Sequence, residues 1–434
     1  MQTLQQLLSG ELKGSKALTL SCELTVFPNE ILELADTLEI LDLSHNNLSQ
    51  LPDNFSVLKK LKIAFFSDNA FVEFPKVLAQ CKSLTMIGFK SNRINLVPEN
   101  SFPVDLQWLI LTNNQIEEIP KSIGDCSKLQ KVAFAGNKLK TLPVEMADCK
   151  NLELLRIAAN QLTELPGWLL SLPRLSWLAY SGNPFSKTDQ IKDELPLIQW
   201  SELTVHEILG QGASGIISKA TWSHLSYSKE VAVKVFKGEV TSDGFPEDEM
   251  NACIAAGQHA NLVSVIGKIK DHPEKKTGLV LELIPSSFKN LAKPPSFETC
   301  TRDTFNAGAV FETEIIQKIC ISVALACYHL HQCGIMHGDL YAHNTLVEPN
   351  GATIFGDFGA ATIYDRSKPN AALLERIDVR AFGCFMEDLL NLVDEDKRKE
   401  SLYLSMIGLK LACMKEHVPE RPSFYDIKEM LLIF

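Results

Sequence analysis

Asn46, Asn69, Asn92, Asn114, Asn137, Asn160 and Asn183 recur at intervals of 23, 23, 22, 23, 23 and 23 residues, a beat that constrains the first half of the chain more than any other feature. Each asparagine closes a string of the L-x-x-L-x-L-x-x-N type, complete in Leu38-Glu-Ile-Leu41-Asp-Leu43-Ser-His-Asn46 and with other apolar residues at its second or third leucine in most copies. Pro52, Pro75, Pro98, Pro120, Pro143 and Pro166 keep the same step. A unit this short cannot bury an apolar face alone, so its copies must stack and share one core. The leucines then point inward, one short strand per unit builds a sheet, and the asparagine side chain bonds backbone groups where the chain turns. Leu18, Leu20 and Pro28 fall near the register of one more, degenerate copy, with Glu23 where asparagine is expected. Irregularity suits the copy that closes the end of a stack.

The pattern resembles the leucine-rich-repeat family, in the class with a Leu-Pro step. That resemblance implies an α/β solenoid, a horseshoe, over residues 1–188, with about seven regular repeats behind an N-terminal cap. The variable strand positions are expected to face solvent on the concave side. They include Ile40, Ile63, Phe65, Met86, Trp108, Ile110, Leu154 and Trp177, with Lys90, Lys131 and Arg156 among them. An apolar stripe of that length calls for a cover. A protein partner on the concave face would supply it, and so would the other half of the same chain.

At 434 residues there is room for two or three domains. A net charge of −11 argues against a nucleic-acid or anionic-membrane partner. The start, Met1-Gln-Thr-Leu, lacks a basic-then-apolar leader, and no run nears the roughly 18 apolar residues of a membrane span. The best candidate, Ile319 to Leu330, reads as a buried helix. A cytoplasmic protein is expected. Among the eleven cysteines, Cys126 and Cys149 share one repeat position, and Cys81 precedes Leu84 as Cys126 precedes Leu129. Recurrence at one register position marks small buried hydrophobes, not bridge partners.

Residues 189–199 read as a polar linker, and chemistry begins after Trp200. Gly210-Gln211-Gly212-Ala213-Ser214-Gly215-Ile-Ile217 is a glycine loop of the G-x-G-x-x-G type, whose backbone can close over phosphates without side-chain obstruction. Val231-Ala232-Val-Lys234 follows, nineteen residues from Gly215 to the lysine. Glu249, with Glu247 behind it, is the carboxylate placed to hold that lysine. His337-Gly-Asp339-Leu-Tyr-Ala-His-Asn344 leads to Asp357-Phe-Gly359 thirteen residues after the asparagine. A carboxylate that orients a hydroxyl, an amide and a second carboxylate that hold a cation are the parts of phosphoryl transfer.

Together these motifs resemble the protein-kinase fold, an α+β bilobal domain, over residues 200–434. The resemblance implies ATP and Mg²⁺ as cofactors and a protein substrate, with serine/threonine specificity as the family default. It makes Asp339 the base or orienter and gives the metal to Asn344 and Asp357. The triphosphate goes to Lys234 and Gly210 through Gly215. Ile217, Ala232 and the backbones of Glu282 and Ile284 would hold the nucleotide, with Leu281 as gate. His337, Phe358 and Cys253 would form a spine between the lobes, and His329 and His331 would be packing residues.

Three departures matter. Gly338 stands where that family carries an arginine that answers a phosphorylated activation segment. Asp378-Val-Arg-Ala-Phe-Gly383, read as a helix start, follows Asp357 by only 21 residues, with no Ala-Pro-Glu triplet between. Arg421 therefore lacks its expected glutamate, unless Glu375 replaces it. H-G-D and a short segment also mark aminoglycoside- and choline-type kinases. Small-molecule phosphotransfer and a catalytically weak pseudokinase scaffold thus stand as alternatives. Loop phosphorylation is not expected to control the site.

Overall fold

The computed structural model describes residues 2–186, 195–225, 227–238 and 240–434. They fall into two compact units, Met1–Leu172 with Asn183–Phe185, and Pro173–Gly182 with Ser186–Phe434. The repeat pattern runs on to Asn183, yet the segment bearing its last strand groups with the second unit.

The first unit opens with α1 (Leu4–Leu8), capped by Thr3 and Gln6 in a reciprocal capping box. Seven three-residue strands follow: β1 (Ala17–Thr19), β2 (Ile40–Asp42), β3 (Ile63–Phe65), β4 (Met86–Gly88), β5 (Trp108–Ile110), β6 (Lys131–Ala133) and β7 (Leu154–Arg156). They pair in parallel and in chain order, with Ile40, Ile63, Met86, Trp108, Lys131 and Leu154 side by side. Short 3-10 turns close several repeats, and Pro28, Pro75, Pro120, Pro143 and Pro166 cap them. Proline suits that place because its φ is preset and no amide is lost from the turn.

The asparagines do what their spacing predicts. Asn46 accepts from the Cys22 and Leu24 amides at 3.0 and 2.9 Å and donates to Leu20 O at 2.8 Å. Asn160 repeats the pattern, accepting from the Leu139 amide and donating to Phe134 O. The residue before each asparagine, from His45 to Gly182, has positive φ, which throws the asparagine side chain back under the preceding repeat. Cys126 and Cys149 are buried at one register position and donate to Pro103 O and Ile123 O. Burial pushes both thiols up to about 12.

The expected solvent stripe is only partly exposed. Ile40, Phe65, Trp108 and Ile110 are half-buried, whereas Ile63, Met86, Leu154, Arg156 and Trp177 are buried. In-register parallel strands set equal positions next to one another, so large side chains shield their neighbours. The Phe65 ring occupies the space a Cβ on Gly88 would need, and Lys131 Nζ sits 4.0 Å from the Trp108 ring centre. Trp177 is a separate case, since its segment belongs to the second unit.

The second unit contains the repeat strand β8 (Trp177–Ala179) and then β9 (Leu197–Gln199), so the end of the stretch read as a linker is a strand. Residues 189–194 of that stretch lie outside the described residues. Next come β10 (Leu203–Gln211), β11 (Gly215–His224), β12 (Tyr227–Phe236), β13 (Val265–Lys270) and β14 (Gly278–Glu282). They form one sheet in the order β10-β11-β12-β14-β13-β9. Side chains alternate faces along β12. Val231 and Val233 join Ile198, Ala220 and Val280 on one side, while Ala232 and Phe236 pack with Met250, Val265 and Leu281 on the other. That second side is covered by α2 (Pro246–Ala256), which starts with proline at its first turn beside Glu247, Asp248 and Glu249.

A helical lobe completes the unit. It contains β15 (Lys289–Asn290), α3 (Thr313–Gln332), β16 (Ile335–Met336), β17 (Thr345–Val347), β18 (Thr353–Phe355), β19 (Thr362–Ile363), α4 (Ala371–Leu390), α5 (Ser401–Cys413) and α6 (Phe424–Ile433). Ile319, Cys320, Val323, Ala326, Cys327 and Leu330 give α3 its buried face. Asp378 lies inside α4 and not at its start, because the helix begins at Ala371. Among the described residues no helix is long and apolar enough to cross a membrane.

Candidate active site

The glycine loop joins β10 to β11 as a tight reversal, with the Gly212 amide donating to Gly215 O at 3.0 Å. Its glycines serve different ends. A Cβ on Gly215 would lie 2.7 Å from Val235 O, so this glycine lets β11 approach β12. A Cβ on Gly210 or Gly212 would meet nothing, so these two leave backbone open to whatever the loop covers. Gln211, Gly212 and Ala213 are exposed, and Ser214 is half-buried with its carbonyl taken by the Lys237 amide.

Strand alternation sends Lys234 toward α2, where it pairs with Glu249, itself only 2% exposed. Burial opposes charge on Lys234, but the carboxylates of Glu249 and Asp357 outweigh it and raise its proton affinity. Glu247, the alternative partner, is exposed. Ile217, Ala232 and Leu281 share one apolar cluster beside the lysine, and Cys253 packs against it. At the end of β14 the Glu282 amide donates to Ser264 O. A ligand contact from Glu282 must therefore use its carbonyl. Ile284 follows, half-buried.

Asp339 and Asn344 lie on the loop between β16 and β17. Asn344 Nδ2 donates to Asp339 Oδ2 at 2.8 Å and to Asp339 O at 3.1 Å. His337 is buried, its Nε2 3.1 Å from Gly356 O and its ring 4.2 Å from Phe355 and 5.6 Å from Phe358. Burial lowers its proton affinity, so it stays neutral and joins the loop to the D-F-G turn. Asp357 is exposed with φ 60, and its Oδ1 accepts from the Gly359 amide at 3.1 Å. Lys234, Glu249 and Asp357 thus share one electrostatic neighbourhood, and Asp339 with Asn344 forms a hydrogen-bonded pair.

The protein kinase domain model matches residues 203–379, and leucine-rich-repeat models match residues 37–58 and 104–162. Receptor-like serine/threonine-protein kinase SD1-7 of Arabidopsis thaliana is 33% identical over 190 residues, 41% of this chain and 21% of that protein. Cysteine-rich receptor-like protein kinase 26 of the same plant is 26% identical over 306 residues, 56% and 44% of the two chains. A probable serine/threonine-protein kinase of Dictyostelium discoideum is 29% identical over 173 residues, 39% and 10%. The chain spans less than half the length of each of these relatives. It joins leucine-rich repeats to a protein kinase domain.

Within the kinase domain several supporting contacts carried no local signal. Asp378, fully buried in α4, accepts from the His337 amide at 2.8 Å and the Gly338 amide at 2.9 Å. His331, expected only to pack, lies 3.0 Å from the same carboxylate through Nε2. Asp303 accepts from the His343 amide and bonds its Nδ1 at 2.6 Å. Arg421 does not take Glu375, which instead accepts from Tyr364 Oη at 2.8 Å. Its guanidinium donates to the carbonyls of Lys415, Arg376 and Pro173. Partners so distant in sequence leave no spacing to read.

The residue set suits Mg-ATP. One exposed carboxylate and one amide supply oxygen ligands, and a hard cation that keeps phosphate and water in its shell needs few more from protein. A paired lysine, a loop of open glycines and an apolar wall of Ile217, Ala232 and Leu281 match a triphosphate and a flat base.

Proposed function

We propose that this chain is an ATP- and Mg²⁺-dependent protein kinase that phosphorylates serine or threonine hydroxyls on a protein substrate. The observation that carries the reading is the pair of half-buried Lys234 with buried Glu249, set in the field of Asp357, an arrangement with a clear use in phosphoryl transfer. It favours an active site over a weak pseudokinase scaffold. Bound Mg-ATP supplies the phosphoryl group and neutralises its developing charge. The chain's own residues orient and hold. Gly210 to Gly215 cover the triphosphate, Lys234 binds its α- and β-phosphates, and Asn344 and Asp357 present oxygens to the metal. Ile217, Ala232, Glu282 and Ile284 seat the base. Asp339 accepts the acceptor hydroxyl's hydrogen bond and aligns its oxygen, with Asn344 fixing the carboxylate.

Serine/threonine specificity rests on the names of the relatives. H-G-D points to a small-molecule acceptor, but Gly338 has a steric reason of its own, since a Cβ there would lie 2.3 Å from Leu178 O. We place the protein in the cytoplasm, where buried thiols such as Cys126 stay reduced. For the repeats we propose recruitment of a protein partner or substrate on the strand face around Ile40, Phe65, Trp108 and Ile110, the members of the stripe that keep accessible surface.

The test compares ADP release from Mg-ATP by the full chain and by Asp339→Asn. Loss of a positioned acid should lower the rate by about 10²–10⁴. Equal, background turnover in both would remove the enzyme reading. Phosphoamino-acid analysis of the product separates serine/threonine from tyrosine, and protein from small-molecule acceptors.

A further inference from the structure

The segment Pro173–Gly182, which bears β8, belongs to the second unit, and its contacts there converge on the catalytic loop. Trp177 is 1% exposed. Its Nε1 donates to Leu340 O at 3.0 Å, and its indole lies flat on Tyr341, the ring centres 4.4 Å apart and the planes 5° from parallel. Tyr341 in turn lies 4.9 Å from the His343 ring, and Asp303 fixes that histidine. Leu340 and Tyr341 directly follow Asp339, and Asn344 bonds its carboxylate. The stack therefore braces the loop on the C-terminal side of the acid.

The other side of Asp339 carries the imprint of the same strand. A Cβ on Gly338 would lie 2.3 Å from Leu178 O and 3.0 Å from Ala360 O, and its φ of +71 already disfavours any side chain. An arginine cannot stand there while β8 is in place. Farther away, Arg421 donates to Pro173 O at 2.8 Å, and Ser176 Oγ lies 3.9 Å from Cys384 Sγ. Two departures in the sequence, the missing arginine at Gly338 and the Arg421 without its expected glutamate, thus meet contacts from one ten-residue segment.

We propose that Trp177 is a positioning residue: the last repeat strand clamps the catalytic loop in its transfer-competent form, so that Asp339 is set without a phosphate on residues 357–371. The inference rests on the kinase reading of the site for its consequence, and on the contacts alone for its geometry. Trp177 acts on the acid through Leu340 and Tyr341.

The test uses the full chain as wild type, Trp177→Ala and Trp177→Phe, with two readouts: steady-state ADP release from Mg-ATP and amide hydrogen exchange over residues 337–344. Trp177→Ala is expected to lower kcat about 10²-fold, the scale of a small misplacement at a reacting group, with KM for ATP kept within about threefold. Its loop amides should exchange faster. Trp177→Phe keeps a ring over Tyr341 and loses the bond to Leu340, and should have a kcat below wild type but lowered less than in Trp177→Ala. If the alanine variant is recovered unfolded, the phenylalanine variant decides, with lowered kcat at unchanged KM supporting the clamp. Loop exchange equal to wild type in the folded variants would overturn it, as would unchanged kcat in an active enzyme. A wild type without turnover removes the kinase reading alone, and the exchange comparison still decides whether Trp177 holds the loop.

Discussion

Trp108 and Trp177 occupy the same position of the repeat, the first residue of their strands, yet their surroundings have nothing in common. Trp108 is half-buried under the Lys131 ammonium, a contact made within the sheet. Trp177 is buried, stacked on Tyr341 and bonded to Leu340 O. A repeat's register decides which way a side chain points. What covers it depends on residues far away in sequence, and the same indole lies half-buried beneath a lysine in one repeat and flat on Tyr341 of the catalytic loop in another.

Glycine substitutions offer the largest way to break that comparison. Gly136 precedes Asn137 with φ 70, but Ala159 holds the equivalent place with φ 53, so the repeat tolerates a Cβ there. Gly136→Ala should cost about 1 kcal/mol. Gly338→Ala adds a backbone clash to the same left-handed strain and should cost about 2–5 kcal/mol. Urea midpoints for the two variants check this, and equal shifts would mean that β8 does not press on the loop.

Trp108→Ala sharpens the other side. It should remove a partner captured by the repeats and leave turnover as it was, and pull-down with parallel ADP assays reads both. The smallest effect is in pH. Burial works against charge on His343, but the hydrogen bond and charge of Asp303, with Asp339 and Asp357 beyond, outweigh it and raise its pKa. A raised folded pKa means that the pair stabilises fully below the unfolded value of about 6.5 and that this is lost as pH rises through the folded value. His343→Gln should therefore cost more stability at pH 6 than at pH 9.

Much of this was legible in the sequence because it is local. The asparagine beat gives the strands and their order, and G-x-G-x-x-G, Val-Ala-Val-Lys, H-G-D and D-F-G name their own residues. Glu249 was reachable because helix α2 starts a short way beyond β12. The rest depends on contacts between distant segments. Asp378 anchors His337 from 41 residues away, Asp303 holds His343 from 40, and Arg421 reaches Pro173 across 248. No pattern in one chain announces such pairs, and nothing local separates Trp177 from Trp108, which opens its own strand in the same way. Gly338 was the visible clue, since a glycine in place of a bulky residue records that something else occupies the space.

Turnover of Trp177→Ala and Trp108→Ala, measured side by side in the full chain with Mg-ATP, tests the central claim most directly. The account predicts a fall of about 10²-fold in kcat for the first and wild-type kcat for the second. Equal rates in the two variants would contradict it.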